Sequence, residues 1–272
     1  MSELDPAEQR RIVRKRYGEI AKNESSCCGD LCGDTNATER AGQLGYDDEA
    51  ITSVGAGANL GLGCGNPTAI ASVQEGETVL DLGSGGGFDC FLAAREVGEL
   101  GRVIGVDMTP EMVERARENA ARNAAENAEF RLGEIEHLPV ADGTVDLILS
   151  NCVINLSPDK EQIFEEAFRV LRPGGRLAIS DVVLTTDVPE ALRDDPESLA
   201  ACVSGAATID ELETMLDDTG FEEVRLEPKE GSETFIREWS DEHDLSDVLV
   251  SARIEAKRPN RYVTRNEGDL RR

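Results

Sequence analysis

The sequence predicts a doubly wound α/β fold on a mainly parallel, seven-stranded sheet with helices on both faces. Three observations carry that expectation. Apolar strand-like runs alternate with helical stretches from residue 78 to residue 219, the pattern of a parallel sheet covered on both sides. A glycine-rich loop, Gly83-Ser84-Gly85-Gly86-Gly87, joins the first run to the helix after it. Two final runs, 221–227 and 248–256, have no helical pattern between them, so an antiparallel pair is expected to close the sheet.

The elements follow in order. Asp5-Pro6 supplies cap and first-turn chemistry for a helix reaching about Lys22. Residues 23–63 are rich in Gly, Asp, Asn and Ser, carry Cys27, Cys28 and Cys32, and read as a long functional loop or lid. Asn66-Pro67 opens a short helix. The parallel strands are expected at 78–82, 102–107, 128–132, 144–150 and 175–184. Helices are expected at about 88–97, 110–125 after Thr109-Pro110, 158–171, and 208–219, the last opened by the capping box Thr208-x-x-Glu211. The chain thus divides into a cysteine-bearing N-terminal extension (1–65), a core domain with an insertion around Cys202 (66–257), and a polar tail (258–272).

Composition narrows the class of partner. Of 272 residues, 55 are acidic and 28 basic, a net charge of −27, which disfavours nucleic acid and other phosphate-backbone partners. The acidic residues are spread along the chain, and lysines are few (Lys15, Lys22, Lys160, Lys229, Lys257). That surface suits high salt, where screening makes such repulsion tolerable. No run is long and apolar enough to span a bilayer, and the charged N-terminus has no signal-peptide pattern. A cytoplasmic protein with no membrane partner is expected. Seven cysteines in such a compartment read as core thiols, metal ligands or redox groups rather than a disulfide framework.

The glycine loop indicates a nucleotide-type ligand at a helix N-terminus. A dinucleotide fits poorly, because the third glycine of G-x-G-x-x-G falls on Phe88, and Asp81 just before the turn would repel a pyrophosphate. Asp81 suits the ammonium group of S-adenosylmethionine, and Asp107, ending the next strand, suits both ribose hydroxyls. Asp81, Asp107, the stretch Gly133-Glu134-Ile135 and Asn151-Cys152 all fall at strand ends, where the ligands of an open α/β sheet bind.

The cysteines point to the acceptor. Cys152 directly follows the fourth strand, Cys64 lies in Gly63-Cys64-Gly65 ahead of the core, and Cys202 lies in the insertion. Small neighbours would let a ligand or another backbone come close to each. Cys90, on the first turn after the glycine loop, reads as a packing residue. Thiolates beside a methyl donor would suit a soft acceptor such as trivalent arsenic, held by two or three sulfurs with its lone pair free. No proton leaves such a centre, so no general base is required. The chain has only two histidines, His137 and His243, neither obviously at the cleft.

Three segments taken together, 62–67 (Leu-Gly-Cys-Gly-Asn-Pro), 81–90 and 150–160 (Ser-Asn-Cys-Val-Ile-Asn-Leu-Ser-Pro-Asp-Lys), resemble the arsenite S-adenosylmethionine methyltransferases, and the likeness runs from about residue 10 to residue 257. The resemblance implies a Rossmann-like class I methyltransferase fold and arsenite detoxification with S-adenosylmethionine. It implies that Cys152 and Cys202 are core arsenic thiolates, and that Cys64 is a third thiol that binds arsenic or pairs with an N-terminal cysteine. Cys27, Cys28 and Cys32 offer that partner, with thioredoxin or a small thiol as reductant. It places Gly83 and Gly85 along the methionine moiety, Met108 against the adenine, Glu134 and Ile135 at its border, and Asn151 at the methionine end. Two alternatives remain open: a methyltransferase for a small organic acceptor such as a quinone, and a thiol-based metal-binding or metal-sensing protein.

Overall fold

A computed structural model describes residues 5–23, 37–55, 57–186, 196–200, 202–239 and 244–260. Seven strands form one sheet in the order β3-β2-β1-β4-β5-β7-β6. They are β1 (Thr78–Leu82), β2 (Arg102–Asp107), β3 (Ala128–Leu132), β4 (Val145–Asn151), β5 (Leu171–Leu184), β6 (Glu222–Pro228) and β7 (Leu249–Lys257). β1 to β5 pair in parallel, and β7 runs antiparallel between β5 and β6. The expected antiparallel closure is therefore present.

The helices are α1 (Pro6–Asn23), α2 (Ala37–Leu44), α3 (Asp48–Ser53), α4 (Thr68–Ala71), α5 (Phe88–Val97), α6 (Pro110–Arg122), α7 (Lys160–Val170), α8 (Pro196–Ala200), α9 (Ile209–Thr219) and α10 (Glu233–Ile236). The local chemistry matches the expected starts. Asp5 Oδ2 accepts from the Ala7 N–H, Asn66 Oδ1 from the Ala69 N–H, and the Thr208–Glu211 capping box is closed in both directions. α7 begins two residues later than expected because Asp159 caps it, accepting from the Gln162 N–H at 3.0 Å.

One expectation needs correcting. Residues 23–63 are not a continuous loop, since α2 and α3 lie within them. α2 buries Arg40, Ala41 and Leu44, and Asp47 caps α3 through the Ala50 N–H at 2.7 Å. Cys27, Cys28 and Cys32 fall outside the described residues.

Alternating side chains send the strands into two apolar layers. Val79, Val103, Leu147 and Leu149 pack on one face with Phe91, Val97 and Val113 of α5 and α6. Leu80, Leu82, Ile104 and Ile148 pack on the other with Phe164 of α7 and Leu212 and Leu216 of α9. Each such fully buried side chain contributes about 1.5–3 kcal/mol. The strand order reverses between β1 and β4, so their carboxyl ends diverge into a crevice, the usual ligand position of such sheets. α6 secures its floor: Asn119, fully buried, donates to the Gly86 carbonyl of the glycine loop at 2.9 Å.

Asn119→Ala should leave that carbonyl without its partner and destabilise the fold by about 1–3 kcal/mol. Urea unfolding at high salt checks this; an unchanged midpoint would contradict the anchoring role.

Candidate active site

The carboxyl ends of β1, β2 and β4 open on one cleft of about 990 Å³, its mouth included. One end is acidic and glycine-lined. Gly83 and Gly85 line it with left-handed backbone, φ 72° and 50°, a conformation glycine adopts without steric cost. The Gly85 N–H donates to Asp107 Oδ2 at 3.0 Å and the Thr109 N–H to Oδ1 at 2.8 Å, which fixes the carboxylate at the end of β2. Burial pushes that carboxyl above its usual range. Met108 and Ile135 add apolar wall beside it.

Asp81 does not line the cleft. It is buried behind the glycine loop, where the Cys90 thiol donates to its Oδ2 at 3.2 Å. Burial, then the neighbouring Asp89 charge, raise its carboxyl well above the ordinary range. Cys90 is fully buried, with no place on the cleft wall. Asp89 was not legible as a site residue, because an acid in a first helical turn ordinarily serves the helix dipole. Burial pushes it up to about 6, although Tyr46 donates to its Oδ1 at 2.6 Å and Asn151 Nδ2 to its Oδ2 at 3.2 Å. Asn151 lines the cleft and also joins its two ends: its Nδ2 donates to the Gly65 carbonyl at 2.9 Å, and its Oδ1 accepts from the Cys64 N–H at 3.0 Å.

The other end is built of sulfur. Cys152 and Cys202 line the cleft and Cys64 is fully buried beside Cys152. Both wall cysteines hold left-handed backbone, φ 58° and 65°, uncommon for residues with a Cβ. The Cys152 N–H donates to the Ser180 carbonyl at 2.8 Å and the Cys202 N–H to the Leu199 carbonyl at 3.0 Å. The Cys202 thiol donates to the Cys152 carbonyl at 3.1 Å, tying the two turns together. Gly205 permits this approach, since a Cβ there would stand 2.1 Å from the Asn155 carbonyl oxygen. Gly63 does the same for Cys64, as its Cβ would stand 2.7 Å from Asn151 Oδ1. The small residues around the cysteines thus admit neighbouring protein.

The three thiols do not share one acidity. The neighbouring Cys202 and Cys64 thiols, helped by the Arg40 guanidinium, hold Cys152 well below the ordinary thiol range. Burial pushes Cys64 well above it. Cys152 is therefore the readier of these two thiols to form a thiolate. Arg40, from α2, lines the same cleft, and nothing in its sequence surroundings marked it.

α1 covers the cleft with Arg10, Val13 and Tyr17. Arg10 donates to the buried Glu136 at 3.1 Å, and the Ser157 hydroxyl donates to the same oxygen at 2.7 Å. Glu134, expected at the adenine border, is not on the wall. Its carboxylate turns to α1 and pairs with Arg10 at 3.5 Å and Arg14 at 3.2 Å, leaving Ile135 and Glu136 to line the cleft. Trp239 completes the lining. His137 is exposed, and His243 lies outside the described residues.

The acidic end fits a cationic nucleoside. Asp107 keeps lone pairs for two hydroxyls, Met108 and Ile135 give apolar surface for a base, and Asp81 and Asp89 bring buried negative charge behind the glycine loop. Residues 73–220 match a family model described as a methyltransferase domain. Fold and cleft are those of a class I S-adenosylmethionine-dependent methyltransferase.

The relatives narrow the class. The chain is 55% identical over 271 residues to an arsenite methyltransferase of Halobacterium salinarum, covering 96% of this chain and 69% of that protein. It is 36% identical over 236 residues to an arsenite methyltransferase of Homo sapiens, covering 83% of this chain and 61% of that protein. The crystal structure of an arsenic(III) S-adenosylmethionine methyltransferase from Chlamydomonas reinhardtii matches with a TM-score of 0.60 at 33% identity, over 83% of this chain and 74% of that one. The chain belongs to the arsenite methyltransferase family. It spans about two thirds of the length of the haloarchaeal relative and less of the human one. The haloarchaeal kinship agrees with an acidic surface adapted to high salt, and neither the organic-acceptor nor the metal-sensor alternative is favoured. Among the described residues no helix is long and apolar enough to cross a membrane.

A pH dependence follows. The positive charges of S-adenosylmethionine favour ionised Asp89, so binding below about 6 displaces a proton from it. Affinity should strengthen as pH rises through about 6, where Asp89 ionises. Calorimetric titration from roughly pH 5 to pH 7.5 reads this, and Asp89→Asn should flatten the rise near pH 6. A flat wild-type profile would contradict the assignment.

Proposed function

We propose that this chain moves the methyl group of S-adenosylmethionine to arsenite-derived trivalent arsenic held by Cys64, Cys152 and Cys202. The supporting observation is that three buried thiols gather at one end of a cleft whose other end fits the methyl donor.

Arsenite arrives as a hydroxylated trivalent centre. The Cys152 thiolate attacks it first, because its neighbours favour the charged form. Cys202 and Cys64 follow. For each thiol that enters, its proton leaves with a displaced hydroxyl as water, so three exchanges give a sulfur-bound arsenic and three waters. Soft thiolates match the soft metalloid and leave its lone pair free. Bound S-adenosylmethionine supplies a methyl group on a positively charged sulfur, open to attack by a lone pair.

The protein's part is positioning and exclusion of water. The linked Cys152 and Cys202 turns fix two sulfurs, while Leu62, Val153 and Leu156 line the cleft with apolar surface. No proton leaves the arsenic, so the reaction needs no histidine as a base, and among the described residues none lines the cleft. Methylation oxidises the centre by two electrons. A thiolate of Cys27, Cys28 or Cys32 attacks the Cys64 sulfur, the Cys64 sulfur–arsenic bond breaks with its electron pair left on arsenic, and thioredoxin or a small thiol reopens the resulting disulfide. Such thiol chemistry belongs in a reducing cytoplasm.

Cys152→Ser and Cys202→Ser should each lower arsenite methylation by more than about a hundredfold, with cofactor affinity nearly unchanged. Turnover retained in either variant refutes the sulfur assignment. Asp107→Ala should instead weaken cofactor binding by about tenfold or more, the scale of lost hydrogen bonds to a charged group. Unaltered affinity in that variant would remove Asp107 from the ribose site.

A further inference from the structure

Asp181 has no role in the reaction above, yet its carboxylate belongs to the sulfur cluster. One of its oxygens, Cys64 Sγ and Cys152 Sγ all lie within 4.8 Å of one another. The Cys202 thiol lies 3.1 Å from the Cys152 carbonyl oxygen, on the turn tied to this one, which makes it the next donor at the same place. The carboxylate is only 1% exposed and is held by protein hydrogens. The Ile154 N–H donates to Oδ2 at 3.0 Å, while Asn155 Nδ2 and the Val182 N–H donate to Oδ1 at 2.9 and 2.8 Å.

That donor set exceeds what arsenic uses. Trivalent arsenic takes three soft ligands and keeps a fourth direction for its lone pair. A d¹⁰ divalent cation has no lone pair to accommodate, takes four ligands in a tetrahedron, and accepts thiolate and carboxylate together. Arg40, Lys160 and Lys229, whose charges reach this cluster, offset the excess of negative charge that such a complex carries.

We propose that Cys64, Cys152, Cys202 and Asp181 form a tetrahedral site for a thiophilic divalent cation of the zinc class, whose occupation blocks arsenic. The proposal rests on the assignment of these sulfurs to the arsenic site. On binding, the cation loses its waters, three metal–sulfur bonds and one metal–oxygen bond form, and the thiol protons pass to solvent. No electron is transferred. Zinc-loaded enzyme is then inactive until a chelator frees the thiols.

Cobalt(II) is the probe, because its visible spectrum reports geometry and its charge-transfer bands report bound sulfur. The reduced full chain, kept in a phosphine reductant, is titrated with cobalt. The expected result is one cobalt per chain with the intense bands of a tetrahedral three-sulfur complex, bleached by zinc and by arsenite. Asp181→Asn should weaken cobalt binding relative to arsenite binding by at least roughly tenfold. A weak octahedral spectrum, a four-sulfur spectrum, or cobalt that arsenite leaves in place overturns the proposal using wild-type protein alone. So does an unchanged cobalt-to-arsenite affinity ratio in Asp181→Asn. Arsenite binding that survives Cys152→Ser, by contrast, sinks the arsenic site itself.

Discussion

Left-handed backbone at two cysteines shapes this cleft. Cys152 and Cys202 hold φ of 58° and 65°, a conformation that costs a residue with a Cβ roughly 1–2 kcal/mol. Such strain persists where the surroundings over-determine it. Here β5 supplies the Ser180 carbonyl to the Cys152 N–H, Asp181 grips the next turn at Ile154 and Asn155, and the Cys202 thiol closes on the Cys152 carbonyl. An extended Cys152 would continue β4. The left-handed turn instead ends the strand and leaves its side chain on the cleft wall, one residue beyond Asn151.

Asn151 makes the two chemical halves of the cleft one device. Its amide holds the Cys64 N–H and the Gly65 carbonyl on the sulfur side, and Asp89 and the Tyr46 hydroxyl on the acidic side. Charge is distributed accordingly. Buried carboxylates gather behind the glycine loop, where the positive charge of a bound methyl donor would offset their desolvation. Across the cleft, the acidity lies on Cys152 because its neighbours favour the charged form. A sulfonium donor and a soft, neutral acceptor each find the environment that suits them.

Much of this was legible in the sequence because strands and caps are local. β1, β2 and β3 fall where apolar runs bounded by Gly, Asp or Asn place them. β5 starts earlier than expected, at Leu171, because Pro173-Gly174-Gly175 reads as a turn but is an irregular strand start, paired across a register shift with β4. α2 and α3 were hidden in glycine-rich polar sequence and are defined by what they bury. The site divides in the same way. Asp107, Gly83 and Gly85 follow from strand–loop–helix chemistry, and Cys152 from its place after β4. Tyr46, Asp89, Arg40 and Asp181 owe their positions to contacts between distant segments, which no local pattern encodes. Glu134 shows the limit of reasoning from strand ends: the residue follows β3 as read, but α1 brings Arg10 and Arg14 to draw the side chain away.

The central claim is that one cleft holds arsenic through three cysteine sulfurs. X-ray absorption at the arsenic edge, on the reduced full chain loaded with one equivalent of arsenite at high salt, tests it directly. The account predicts a first shell of three sulfurs with no oxygen, reduced in sulfur count by Cys64→Ser. A shell that keeps arsenite's oxygens, or a three-sulfur shell unaffected by substitution of Cys64, Cys152 or Cys202, would contradict it.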